Sequence, residues 1–128
     1  PYTGAGPQCL AHCYDKSLVR GIGLEIGVPV PTGHFINPND MTFELPFEFP
    51  VIVKPNTGDS SFGITEKNVC YNMEDLVNAI ANVRETIGSD KPLIIEEFLE
   101  GPEVTIGIIG NPSSYFTVLP IIEEDYSA

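Results

Sequence analysis

Basic residues are scarce in this 128-residue chain. Six of them, Lys16, Arg20, Lys54, Lys67, Arg84 and Lys91, stand against eighteen acidic residues, for a formal net charge of −12. A nucleic-acid partner needs a basic stripe to displace condensed counterions, so that class is excluded. Cysteine is equally sparse: Cys9, Cys13 and Cys70 form no CxxC pair. Cys9 and Cys13, four apart, share one helix face, which the adjacent His12 leaves by about 100°. A tetrahedral metal site wants four ligands, so the expectation is no metal centre but buried free thiols in a reducing, cytoplasmic setting. No apolar run approaches the ~20 residues of a membrane span. Nor does the chain open on the basic and then apolar segments of a secretory signal. It begins at Pro1 without methionine and stops in an acidic run, Glu123-Glu124-Asp125; the expectation is an incomplete middle portion of a longer protein.

What is present suits one globular domain: 42% hydrophobic residues, seven of them phenylalanine. The stretch around which the rest is organised is Phe49-Pro-Val-Ile-Val-Lys-Pro-Asn-Thr-Gly-Asp-Ser-Ser-Phe-Gly-Ile-Thr65. It reads as strand, loop, strand, with apolar alternation resuming at Phe62 and Ile64. A strand fixes the backbone of Lys54, making its ammonium a placed point charge. A loop with Gly58 and Gly63 lets backbone N–H groups approach phosphate oxygens, and Ser60 and Ser61 add hydroxyl donors. Two readings fit: an anion site, or a solvated hairpin loop beside a lysine that snorkels from a strand end. With so few cations, a polyanion site would lean on backbone N–H groups and a metal ion for its remaining positive charge.

Before this stretch, Pro7 suits the first position of a short helix. Asp15 suits the N-cap of a second helix, with Leu18, Val19, Ile22 and Ile26 at helical spacing and Gly27 as the stop. Gly21 and Gly23 each weaken that helix by ~1 kcal/mol relative to alanine, so tertiary packing must hold it. Lys16 sits at the unfavourable end of its dipole, which hints at a role other than helix stability; a solvated lysine is the bland alternative. Val28–Ile36 reads as a linker into a short strand, and 37–48 as a loop. Asn72 caps the clearest helix, with Glu74 and Asp75 in the first turn, Met73, Leu76, Val77, Ile80, Val83 and Ile87 on one face, Arg84 in the last turn and Gly88 closing it. Residues 91–122 read as an antiparallel meander, reversing at Asn111-Pro112. His34 reads as structural. The fold class expected is α+β, an antiparallel sheet packed with helices.

Glu96, Glu97, Glu100 and Glu103 crowd the end of one expected strand. Neighbours on a strand point to opposite faces, so Glu96 and Glu97 make a poor acid–base dyad. As acceptors they suit an amine or ribose hydroxyls, with Phe98 and Leu99 as apolar walls for a flat ring. A solvated acidic edge that discourages aggregation fits the same residues.

Five pieces in order, Pro1-Tyr-Thr-Gly-Ala-Gly6, Asp15-Lys16, Val28-Pro-Val-Pro31, Phe49–Lys54-Pro55 with Asp59-Ser-Ser-Phe-Gly63, and Ile95-Glu-Glu-Phe-Leu-Glu-Gly-Pro-Glu103, resemble the ATP-binding central region of the ATP-grasp ligases, most closely the D-alanine–D-alanine ligase family. The resemblance implies a nucleotide held between two α+β subdomains, with residues 1–27 as an N-terminal helical segment and 28–128 as the ATP-grasp part. It assigns Lys16 and Lys54 to ATP phosphates and Asn56, Gly58, Asp59 and Gly63 to a mobile phosphate loop with Ser60 and Ser61 as its catalytic serine pair. Glu96, Glu97, Phe98 and Leu99 are assigned to the adenine ring and Glu103 to the ribose. It implies phosphorylation of a D-alanine carboxylate by ATP with magnesium, then attack by a second amine, in peptidoglycan precursor synthesis, within a parent enzyme expected to be a homodimer. Glu97 stands where many relatives place lysine, and Gly58-Asp59 replace a more usual Glu-Gly. The metal ligands and much of the amino-acid pocket are expected outside this chain, which alone should not turn over. A stand-alone binding module that keeps the ATP-grasp shape without catalysis is the other hypothesis.

Overall fold

The computed structural model describes residues 3–40, 44–111 and 113–125. Pro1 and Tyr2 of the opening motif, part of the 37–48 loop, Pro112 of the expected reversal and the last three residues of the acidic tail lie outside the described residues. The chain divides into two compact units, Pro1–Phe98 and Leu99–Ala128.

The first unit opens with helices α1 (Pro7–Cys13) and α2 (Lys16–Glu25). Strands β1 (Gly33–Ile36), β2 (Val51–Pro55), β3 (Val69–Cys70) and β4 (Leu93–Glu97) form one antiparallel sheet in the order β1-β4-β2-β3. Helix α3 (Met73–Ile87) packs on β2 and β3. Alternation decides which face of the sheet meets α3. Val51, Val53 and Pro55 are buried while Ile52 and Lys54 between them are only partly so, because successive strand residues point to opposite faces. Val53 pairs with Ile95, and both join Leu76, Ala79 and Val83 of α3 in the core. Each such Val or Leu contributes roughly 1.5–3 kcal/mol by leaving water. The α3 boundaries fall where its caps were read: Asn72 Oδ1 accepts from Asp75 N–H at 3.0 Å, and Gly88, at φ 101°, ends the helix.

Three sequence expectations are corrected. No strand forms at Phe62–Ile64; the loop runs through a single 3-10 turn, Glu66–Asn68, into the two-residue β3. The buried Asn68 accounts for this, since its amide donates to Val53 O at 2.9 Å and Gly63 O at 3.1 Å and its Oδ1 accepts from Thr65 N–H. The side chain thus takes backbone partners that a strand would have used. The meander also fails at its first strand: β4 pairs with β1 and β2 in the four-stranded sheet, whereas β5 (Glu103–Gly110) pairs with β6 (Phe116–Glu124) in a separate two-stranded one. Finally, Cys70 is buried but Cys9 and Cys13 are exposed.

Polar bonds, more than apolar packing, hold α2. Leu18, Val19, Ile22 and Ile26 are exposed. Asp15 caps the helix through Leu18 N–H at 3.0 Å, Arg20 Nε donates to Pro31 O at 2.9 Å, and Asn56 meets the first turn. The second unit is the β5–β6 hairpin, with a register irregularity between Ile106 and Ile108.

Candidate functional site

Lys54 and Glu96 lie on the sheet face that turns away from α3. In the β2–β4 register Lys54 faces Ile94 and Ile52 faces Glu96, so the two side chains are diagonal neighbours on one face, within reach of long side chains. Lys54 Nζ donates to Glu96 Oε2 at 3.0 Å. Glu96 is 8% exposed, too buried for the solvated acidic edge. Glu97 is exposed, as the opposite-face argument requires, and its Oε2 accepts from Thr32 N–H at 3.3 Å.

The N-terminus of α2 brings in a second ammonium. Lys16 Nζ donates to Gly58 O at 3.1 Å. Burial, first, and the charge of Lys54, second, hold Lys16 below its ordinary value of 10.5, against the pull of Glu96, Asp59 and Asp15. The two ammonium groups repel each other beside the buried Glu96, and Lys16 is partly desolvated, so an anion placed between them would favour both charged forms.

Asn56 and Asp15 explain why Lys16 meets the loop. Asn56 is 2% exposed. Its Oδ1 accepts from Ser17 N–H at 3.0 Å, its Nδ2 donates to Asp15 Oδ1 at 3.0 Å, and its backbone oxygen accepts from Lys16 N–H at 2.9 Å. Gly58 N–H in turn donates to Tyr14 O at 3.1 Å. The start of the loop is thus stitched to the start of α2, and Asn56 has both amide groups committed to that joint. Ser17 Oγ–H at 2.7 Å is the main cause that lowers the Asp15 carboxyl below its ordinary value.

Beyond the joint the loop stands out in solvent. Asp59, Ser60 and Ser61 are exposed, and Gly58, Ser60 and Gly63 take φ of 128°, 55° and 73°. For Ser60 this left-handed backbone is uncommon, at a cost of order 1 kcal/mol, and Ser60 is itself one of the two hydroxyl donors, two residues past the Gly58 joint with Lys16. Phe98 is partly buried and closes the first unit; its N–H donates to Pro50 O at 3.0 Å. Leu99 and Glu103 are exposed and belong to the second unit, Glu103 opening β5 opposite Glu124.

One basic residue at this face escaped the sequence reading. Arg20 and Glu96 both crowd the space beside Gly33: a Cβ there would lie 2.9 Å from Arg20 Nε and 3.3 Å from Glu96 Cγ. Three of the six basic residues therefore gather round Glu96. The i, i+4 spacing of Lys16 and Arg20, which puts both on one helix face, is the signal that could have found it.

The model of the family described as D-ala D-ala ligase C-terminus matches residues 32–127. The chain belongs to the D-alanine–D-alanine ligase family. It is 32% identical over 114 residues to the vancomycin/teicoplanin A-type resistance protein VanA of Enterococcus faecium, which covers 89% of this chain and 32% of that protein. It is 34% identical over 133 residues to the D-alanine–D-alanine ligase of Carboxydothermus hydrogenoformans, covering 96% of this chain and 39% of the relative. The chain spans about a third of the length of the curated relatives it matches. Among solved structures, the ligase of Coxiella burnetii aligns over 97% of this chain and 36% of its own, with TM-score 0.77 and 22% identity. The Bacillus anthracis ligase, solved in complex with ATP, aligns over all of this chain and 40% of its own, with TM-score 0.70 and 26% identity. The mixed helix and antiparallel sheet architecture is therefore that of the ATP-grasp D-alanine–D-alanine ligases.

Proposed function

We propose that this chain is the ATP-binding portion of an ADP-forming carboxylate–amine ligase that joins two D-amino acids, D-alanine foremost, through an acyl phosphate. The observation that carries the proposal is the pair Lys16 and Lys54, delivered by α2 and β2 to one place beside a buried carboxylate and the foot of a hydroxyl-rich loop. Such a site fits a nucleotide triphosphate. Lys16 is desolvated and repelled by Lys54, so a phosphate oxygen stabilises its charged form. Gly58 and Gly63 let the loop backbone approach, and Ser60 and Ser61 present O–H groups where the transferring phosphate needs donors. Glu96 holds Lys54 with Oε2 and offers its other oxygen to an exocyclic amine of the base; Phe98 supplies apolar contact, and Leu99 is assigned the same role by resemblance alone. Glu97 and the ribose-directed Glu103 complete the nucleotide contacts by resemblance.

ATP supplies the phosphoryl group that turns a carboxylate into an acyl phosphate, with magnesium as the main counter-charge. The part these residues play is positioning and charge neutralisation: the lysines hold phosphate oxygens, and the loop keeps water from the transferring group. Asn56 and Asp15 keep the loop foot in register with Lys16. The amino-acid substrates, a homodimeric parent and a cytoplasmic setting belong to the same proposal. Among the described residues no helix is long and apolar enough to cross a membrane.

Calorimetry at low salt tests it. Saturable Mg-ATP binding that is lost in Lys54→Ala is the expected result; binding that survives in both Lys54→Ala and Lys16→Ala would remove the phosphate site from these residues.

A further inference from the structure

Cys9 and Cys13 take no part in the nucleotide site. They occupy positions i and i+4 of α1, and both are exposed. The i, i+4 spacing turns both thiols to one face of the helix, and the neighbouring Cys9, through hydrogen bonding first and its charge second, holds Cys13 above its ordinary value of 9.0. The helix, however, sets their Cβ atoms about 5–6 Å apart, whereas a disulfide wants about 3.5–4.5 Å. A direct S–S bond would have to unwind the last turn of α1. One larger atom inserted between the sulfurs would not.

We propose that Cys9 and Cys13 form a two-sulfur chelating site for a thiophilic trivalent metalloid, of the class RAs(OH)2. Among the described residues no group of three His, Cys, Asp or Glu side chains could hold a metal ion. The occupant must therefore be satisfied by two protein sulfurs and bring its own third substituent, as a monosubstituted arsenical does. Soft thiolate ligands select such centres. The step is a condensation: two As–S bonds form, two As–O bonds break, and the two thiol protons leave with the two hydroxyls as water. Arsenic stays trivalent and nothing is oxidised. Cys70 does not compete, because it is wholly buried and burial pushes its thiol up to about 11. The site lies immediately before Tyr14, whose carbonyl accepts the Gly58 N–H of the loop joint.

Phenylarsine oxide is the probe, read by intact mass spectrometry after challenge with excess glutathione. The expected result is one aryl-arsenic per chain that survives glutathione, is released by 2,3-dimercaptopropanol and leaves the helical circular dichroism unchanged. Cys9→Ser and Cys13→Ser, exposed positions whose loss spares the core, should each abolish retention, while Cys70→Ala retains it. Stripping of the wild type by glutathione, or retention in either single variant, would overturn the proposal.

Discussion

Lys54 pairs with Glu96, and under the proposed function it also meets a phosphate. Side-chain exposures of 27% and 11% place the Lys54–Glu96 pair between surface and interior. Removing the ammonium leaves a mostly buried carboxylate without its donor, a cost on the order of 1–3 kcal/mol. Lys54→Ala should therefore lower the urea midpoint as well as binding, and Lys54→Ala/Glu96→Gln should recover part of the stability and none of the binding. Asp15 makes an acid prediction. Its folded pKa lies below 3.8, chiefly through Ser17, so its contribution is full above 3.8 and fades as pH falls through the lowered value. Asp15→Asn should flatten that part of the stability profile in denaturant titrations; an unchanged acid limb would count against the Ser17 bond.

Lys16 runs the other way. Its folded pKa is depressed from 10.5, by burial first and Lys54 second, so the fold disfavours the protonated form. Stability gains as pH rises from the lowered value toward 10.5. A phosphate on Lys16 favours the charged form again. Mg-ATP binding should then take up protons in that alkaline window, seen as a calorimetric enthalpy that varies with the ionisation heat of the buffer. An enthalpy independent of buffer there would take Lys16 off the phosphates.

At the scale of elements, the loop between β2 and the 3-10 turn depends on Gly63. Its φ of 73° favours glycine, and an added Cβ would lie 3.2 Å from Pro55 Cγ and 3.3 Å from Ile87 Cγ2. Neither neighbour is the free end of a flexible exposed chain. Gly63→Ala should destabilise the first unit by about 1–3 kcal/mol, from backbone strain plus crowding, with the loss visible in thermal unfolding. The loop foot is held by different means, the bonds of Asn56 to Asp15, Ser17 and Lys16. The exposed Ser60 and Ser61 thus lie between two fixed points, the closely packed Gly63 and the buried Asn56 joint.

For the whole molecule, stability is unevenly distributed. The first unit has a core of β1, β2, β3, β4 and α3 residues. In the second, every described strand residue except Gly107 is exposed, and a lone two-stranded hairpin is marginal in water. Hydrogen exchange should show strong protection in 51–55, 76–83 and 93–96 and nearly free exchange across 103–124. Equal protection of both would show that a further surface covers the hairpin.

Local chemistry determined much of this protein. Pro7, the Asp15 and Asn72 caps, the Gly27 and Gly88 stops and the period of α3 act within one or two turns, so they are legible in order along the chain. The lysine at the end of β2 and the opposed Glu96 and Glu97 follow from strand alternation alone. Only the tertiary structure decided that β4 leaves the meander to sit between β1 and β2, because strand partners are chosen by burial on both faces, and Ile94 and Ile95 are buried on opposite ones. It also decided that Asn68 ends the expected second strand, that Asn56 is a joint between distant segments, and that Arg20 and Glu96 meet beside Gly33. The contacts of Asn56 with Lys16, of Asn68 with Val53 and of Arg20 with the Gly33–Glu96 pair join distant segments, and of these only the one at Arg20 has a forerunner in the sequence, the i, i+4 spacing with Lys16.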